Sequence, residues 1–193
     1  MASSSSLSRK QEILQKAAHL FNARGYSAVT MRDLADALDI KASSLYNHIK
    51  GKQEILQLLI LPLAEEFTGG ILAITESDKP VRIQLEEAIQ QHIKLSKDHG
   101  IHLSTLYNDW MHLEGEGYDR YIDYRNAYDE AFNSLIDRAI IEKEIKAADR
   151  EIIVFNLLST LRSIHRWMLR RGPTAIARLE TSLPDMLLNG IQA

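Results

Sequence analysis

Apolar residues recur at three- and four-residue intervals along most of this chain, the period of helices that bury one face. The first such stripe, Ile13, Leu14, Ala17, Ala18, Leu20 and Phe21, predicts a helix over residues 8–24. Ser8 suits its N-cap, Gln11 completes a capping box, and Gly25 suits the residue just past its end. Residues 30–52 predict two short helices. Met31, Leu34, Ala35 and Leu38 line one, Leu45 and Ile49 the other, and Asp39, Ile40 and Lys41 leave room only for a tight helix–turn–helix. Thr30, with Asp33 three residues on, gives the first of the pair a capping-box-like start.

The periodic pattern continues to the far end. A helix from about residue 53 carries Ile55, Leu56, Leu58, Leu59, Leu63 and Phe67, with a kink or break expected at Pro62. Gly69, Gly70 and residues 75–80 mark turns. Further helices are expected over 81–97, stopped by Gly100, then over 101–112 and, after a loop at 114–117, over 119–142. The last two cover 148–170 and 174–189, separated by Gly172 and Pro173, with Pro184 breaking the pattern of the second. In the first of these Ile152, Phe155, Leu158, Leu161 and Ile164 are expected to face one way; in the second, Ile176, Leu179, Leu183, Met186 and Leu187. The fold class is therefore all-α, with about nine helices. A three-helix helix–turn–helix domain over 1–52 precedes a helical domain over 53–193.

Composition agrees and narrows the options. Apolar residues make up 45% of the chain and charged residues 25%, as in a soluble globular protein. With no cysteine, disulfides, thiolate catalysis and thiolate metal sites are excluded, which fits a reducing cytoplasm. The opening MASSSSLSRK has no apolar h-region of a signal peptide, and residues 1–6 are expected to be disordered. The longest apolar run, 58–64, is too short to span a bilayer, so no membrane partner is expected. There is no G-x-S-x-G, no phosphate-cradling glycine loop and no H-E-x-x-H, so an enzyme is not expected.

Charge changes the picture more. The net charge of −3 conceals a basic head, with eight Lys or Arg against four acids in residues 1–52, and an acidic remainder, with 15 against 22. A basic head can sit on phosphate while an acidic body stays clear of it. Within the head, the second helix of the pair offers Ser43, Ser44, Tyr46, Asn47 and His48, flanked by Lys41, Lys50 and Lys52, with Arg32 on the preceding helix. Flat and small polar groups reach base edges in a major groove, and cations at the rim meet phosphates. The alternative is an ordinary amphipathic pair with a solvated polar face.

Residues 13–56 resemble the DNA-binding domain of the tetracycline-repressor (TetR) family of bacterial regulators. The matching residues include Ile13, Ala17, Ala18, Leu20, Phe21, Gly25, Tyr26, Thr30, Met31, Leu34, Ala35, Leu38, Ile40, Leu45, Tyr46, His48, Ile49, Lys52 and Leu56. They fall in the spacings LF-x3-GY-x3-T and LY-x-H-x3-K. Two positions depart from the family pattern: Lys41 stands where a Ser or Thr caps the recognition helix, and Ser43 where Gly is common. The resemblance implies that Tyr26 and Thr30 face backbone phosphate and that the helix after residue 53 links head to body. It also implies that the last two helices dimerise and that the body holds a small-molecule cavity.

Three further groups carry possible chemistry. His92, His99, His102, Asp109 and His112 have metal-ligand side chains, but Gly100 interrupts them and no H-x3-H spacing appears; no metal and no cofactor are expected. The aromatic group Tyr107, Trp110, Tyr118, Tyr121, Tyr124, Tyr128 and Phe132 falls where the family keeps its cavity, and apolar walls with a few polar handles suit a small ligand. Finally, the cluster His165, Arg166, Trp167, Arg170 and Arg171 suits an anion. Together with Arg125 before Tyr128, it is similar to the acyl-CoA-responsive branch of the family. The ligand set expected on these grounds is Tyr107, Trp110, Tyr121, Arg125, Tyr128, Phe155, His165, Arg166 and Arg170. The resulting expectation is a homodimeric repressor released from a palindromic operator by a small apolar or amphipathic effector, with an acyl-CoA as one candidate. The alternatives are a ligand-independent DNA-binding regulator and a helical binding protein whose head does not read DNA.

Overall fold

A computed structural model of the chain describes residues 8–146 and 148–190, and among these it is all helical. The order is α1 (Arg9–Arg24), α2 (Met31–Ala37), α3 (Ala42–Tyr46), α4 (Lys52–Thr75), α5 (Val81–Asp109), a 3-10 turn (Trp110–His112), α6 (Gly115–Ile141), α7 (Arg150–Met168) and α8 (Pro173–Asn189). The expected disordered tail over 1–6 lies outside the described residues.

The helix starts follow from local chemistry. Ser8 and Gln11 form the expected capping box on α1, and Thr30 and Asp33 form one on α2. Lys41 occupies the N-cap of α3 and makes no side-chain cap bond. Helix α3 thus begins at Ala42, and neither Ser43 nor Ser44 takes over the capping role.

Several expectations about breaks need correcting. Helix α4 runs unbroken through Pro62, Gly69 and Gly70. Pro62 itself is exposed, while Leu59, Ile60, Leu61, Leu63 and Ala64 around it are buried. An interior proline costs about 3 kcal/mol, and each buried Leu or Ile returns roughly 1.5–3 kcal/mol, so burial decides the outcome. At Gly70 the missing side chain has a use. An added Cβ would lie 1.8 Å from the Gln91 amide nitrogen, which donates to the Glu66 and Phe67 carbonyls at 3.2 Å each. Likewise α8 continues through Pro184. Gly100 does interrupt α5, with φ 26° and ψ −96° between two helical stretches, and α6 begins at Gly115, inside the expected loop.

By length and composition alone α4 is apolar enough to cross a membrane, with mean hydropathy 1.6 over its apolar stretch. Its Ile55, Leu56, Ile60, Phe67 and Ile71 are buried inside the protein, which makes it a core helix.

The described residues fall into two compact units. The first takes residues up to Leu63 together with Ile101–Tyr121. Its core holds Ile13, Phe21, Leu34, Leu45, Ile49, Ile55, Leu56 and Leu103. The second takes Ala64–Gly100 and the residues from Ile122 onward, around Ile71, Leu85, Ile93, Phe132, Leu135, Ile136 and Leu161.

In α7 the expected single stripe is wrong. Leu158, Leu161 and Ile164 are buried, but Ile152 and Phe155 are 65% and 72% exposed. At 3.6 residues per turn, strict three-residue spacing falls back by about 60° a step, so the row winds from one face to the other. In α8 the expected apolar row does share a face, yet no residue of that helix is buried in the chain.

Candidate nucleic-acid interface and effector region

Helix α3 and the turn after it stand on two buried residues, Leu45 and Ile49. Everything else near it is turned outward: Lys41, Ser43, Tyr46, Asn47, His48 and Lys50 are exposed, with Tyr46 at 52%, and Ser44 is half-buried. Arg32 on α2 is exposed as well. Among the described residues Arg32, Lys41 and Lys50 have no ion pair, whereas Arg9, Lys10 and Arg24 are matched to Glu12, Glu54 and Asp33. Such a surface presents hydrogen-bonding groups at the centre and exposed cations at the edge, the two kinds of contact that duplex DNA takes.

The two residues expected to face phosphate also have partners inside the protein. Thr30 Oγ1 accepts the Asp33 amide at 3.1 Å and donates its own proton to Asp33 Oδ2. The hydroxyl's bond, with the Thr30 amide donating to the same oxygen at 2.8 Å, holds the Asp33 carboxyl below its usual range, so the hydroxyl proton is already engaged. Tyr26 is only 8% exposed, so its ring is a support rather than a surface. Phe21 meets it edge-on at 5.2 Å, His112 stacks on it at 5.2 Å, and the Lys52 ammonium lies 4.0 Å from its centroid. Burial pushes the Tyr26 phenol up, with Glu114 and Asp109 acting the same way. Lys52, half-buried, is pushed down by the same cause and drawn back by Asp109 and Asp33.

The residues expected to bind an effector fall in both units. In the first unit Trp110 stacks on Tyr121 at 5.3 Å and on Tyr118 at 6.4 Å, with Tyr107 half-buried. In the second unit Tyr128 lies buried against Phe67 and Phe132, and its hydroxyl sits 2.6 Å from His92 Nε2. Burial drives His92 down to about 3, with Arg162 adding to the effect, so this histidine is neutral and its Nδ1 has no hydrogen-bond partner. Arg125 is exposed and 3.8 Å from Asp129, which also pairs with Arg162 at 3.1 Å. Phe155 is exposed.

The basic cluster divides too. Arg166, Trp167, Arg170 and Arg171 border an open recess of about 360 Å³, with the Arg171 guanidinium 5.4 Å from the Trp167 ring. His165, by contrast, is 1% exposed and its Nδ1 meets the Arg162 carbonyl at 2.9 Å. Burial lowers its pKa, so it adds no cation to the cluster. The histidines weighed as metal ligands go separate ways: His92 to Tyr128, His99 to Glu66 at 3.0 Å, His112 to Tyr26. Among the described residues no group of three or more metal-ligating side chains forms.

Comparison with known proteins settles the family. Residues 13–59 match the model of bacterial regulatory proteins of the tetR family, and residues 78–191, more than half of the chain, match the tetracyclin repressor-like C-terminal domain. The chain belongs to the TetR family. It is a DNA-binding transcriptional regulator of that type, in a family of regulators rather than enzymes. Among its relatives is the HTH-type transcriptional repressor KstR2 of Rhodococcus jostii, 23% identical over 95% of this chain and 91% of that protein. KstR2 of Mycolicibacterium smegmatis is 44% identical over 70 residues, 36% of this chain and 34% of that one. Two solved structures share the fold. The ketosteroid transcriptional regulator KstR2 of Mycobacterium tuberculosis has a TM-score of 0.85 at 21% identity, covering 97% of each chain. AibR, in complex with isovaleryl coenzyme A and operator DNA, has 0.76 at 20% identity, covering 94% of this chain and 98% of that one.

Within this TetR chain, Asp109 and His112 have partners that sequence reasoning did not foresee. The Tyr26 amide donates to Asp109 Oδ1 at 3.3 Å across a separation of 83 residues. No local pattern announces such a bond. Its only trace in the sequence is a pair of polar residues that the metal reading left unexplained.

Proposed function

We propose that this protein is a repressor that grips a palindromic operator as a homodimer and lets go when a small effector binds. The observation that carries the DNA half is the exposed polar face of α3, ringed by the exposed Arg32, Lys41 and Lys50. In this reading residues 1–52 form the DNA-binding domain. Ser43, Ser44, Tyr46, Asn47 and His48 address bases; Arg32, Lys41, Lys50 and Lys52 address phosphate. Residues 53–193 form the effector-binding and dimerisation domain, and the protein works in the cytoplasm.

Dimerisation is assigned to α7 and α8. The apolar row of α8 and the exposed Ile152 and Phe155 of α7 leave apolar surface that a second copy would cover. Two heads are what a palindrome requires, since half-sites on one face of DNA lie about 34–36 Å apart.

For the effector, an acyl-CoA thioester is the favoured class. The recess between Arg166, Arg170 and Arg171 suits phosphates, the buried Tyr128 lies in an apolar aromatic environment suited to an acyl group, and the fold neighbour AibR was solved with isovaleryl coenzyme A. Release is a population shift, which requires that the effector bind the DNA-incompetent state more tightly than the competent one. The test is operator affinity of the dimer with and without acyl-CoA thioesters of several chain lengths, alongside calorimetric titration. Heat of binding with weakened DNA affinity is the expected result. No heat and unchanged DNA affinity across the series would remove the acyl-CoA assignment while leaving the DNA reading to stand on its own measurement.

A further inference from the structure

The half-buried lysine at the start of α4 has an unusual seat. Lys52 Nζ lies 4.0 Å from the Tyr26 centroid and 3.5 Å from the Ser27 carbonyl oxygen. The loop that provides both groups is itself tied down by the segment ending α5. Asp109 Oδ1 accepts the Tyr26 amide at 3.3 Å, His112 stacks on the Tyr26 ring with 21° between planes, and His112 Nε2 is 3.4 Å from Ser27 Oγ. The next residue after the lysine closes the circuit, because Gln53 Nε2 donates to the His112 carbonyl at 2.7 Å.

From this geometry we infer that Asp109 and His112 are positioning residues for DNA binding: they fix the Tyr26–Ser27 loop, and the loop holds Lys52 ready for phosphate. The inference rests on the DNA reading above and adds residues that contact no nucleic acid themselves. A free lysine side chain and a free inter-helix loop both lose freedom when they dock on phosphate, and groups already ordered avoid that loss. Asp109 is an expensive way to achieve this. It is 6% exposed, and burial pushes its carboxyl above the usual carboxylate range against the pull of the Tyr26 amide, His112 and Lys52. An apolar residue would fill the space at lower cost but would leave the buried Tyr26 amide without an acceptor.

Because phosphate contacts do not depend on sequence, a fluorescent duplex of arbitrary sequence serves as the probe, titrated with full-length protein at several KCl concentrations. Lys52→Ala is expected to weaken binding and flatten the salt slope by about one unit per head. Asp109→Ala should weaken binding about tenfold and flatten the slope in the same direction. Asp109→Asn keeps an acceptor oxygen for the Tyr26 amide and should restore affinity to within about threefold of wild type. On a Lys52→Ala background, Asp109→Ala should add little, since both act on one contact. His112→Ala, at a half-buried position, provides a second route if Asp109→Ala fails to fold by circular dichroism, and should flatten the slope as well. Wild-type affinity and slope in Asp109→Ala and His112→Ala would overturn the proposal. So would effects that simply add to those of Lys52→Ala, or an Asp109→Asn variant as weak as Asp109→Ala. Wild-type protein that binds no duplex at any salt would instead overturn the DNA reading itself.

Discussion

The two compact units of this protein differ in the charge they bury and in the apolar surface they turn outward. The first buries charge, with Asp109 at 6% exposure and Lys52 half-covered beside Tyr26, and turns outward a polar, cationic helix. The second buries neutral polar groups, His92 on Tyr128 and His165 on a carbonyl, and turns outward the apolar residues of α7 and α8. The lesson is that exposure alone does not name a partner; the kind of group exposed does. Asn47 and His48 in water lose nothing by waiting for base edges, whereas Phe155 at 72% exposure is unfavourable until apolar surface covers it.

The largest expected effect breaks the apolar side of that contrast. Replacing Ile152 and Phe155 together by Glu should abolish the proposed dimer, because burying unpaired charge costs roughly several kcal/mol per group. Sedimentation should show a monomer, and affinity for a two-half-site operator should fall by about a hundredfold or more. A dimer that survives both changes would place the interface elsewhere.

Next comes pH, which acts on the buried neutral histidine. The folded state holds His92 near 3 while an unfolded chain protonates it near 6.5, so the unfolded state binds more protons between those values. Stability is therefore complete above pH 6.5 and is lost as pH falls, by at most about 1.4 kcal/mol per unit from this group. His165, shifted the same way by burial, adds to the slope. Urea unfolding at pH 7 and pH 5 should show the loss, and His92→Asn should make the dependence shallower by up to one proton. An unchanged slope would mean that His92 is not the group responsible.

On the polar side, Asn47→Ala should reduce discrimination at particular bases by about 1–3 kcal/mol each, measured by binding to a library of operator variants. Lys52→Ala should weaken all sequences alike. If the two changes had the same profile, the division between base-reading and phosphate-holding residues would be wrong.

The smallest effect concerns adjacent glycines in α4. Nothing lies within 4 Å of a Cβ built at Gly69, whereas at Gly70 it meets the Gln91 amide. Gly69→Ala should raise stability by about 1 kcal/mol through helix propensity alone. Gly70→Ala must displace Gln91 from the Glu66 and Phe67 carbonyls and should gain nothing or lose. Thermal midpoints of the two variants, measured side by side, test the difference.

Much of the molecule was legible in sequence because the causes are local. The capping boxes at Ser8 and Thr30 need only residues three apart, and the apolar period of α1 to α3 needs only the next turn. The head's basic character is a matter of counting. What escaped was decided by packing. Pro62 and Gly70 read as breaks because local propensity disfavours them, and burial of their neighbours and the reach of Gln91 overrode it. The stripe of α7 read as one face because spacing of three looks helical, yet the row winds around the helix and only part of it meets the core.

By itself, then, the sequence determined the helices, the head-and-body order, the polar recognition face and the resemblance that led to the TetR family. It also marked the weak start of α3, where Lys41 supplies no cap. Only the tertiary structure decided which polar residues hold and which are held. Tyr26 gained a place as the seat of Lys52, His165 turned from a cation into a buried neutral group, and Asp109 from a stray carboxylate into the anchor of a loop 83 residues away. A side chain's protonation and availability depend on what surrounds it in space, and spacing along the chain carries no record of that.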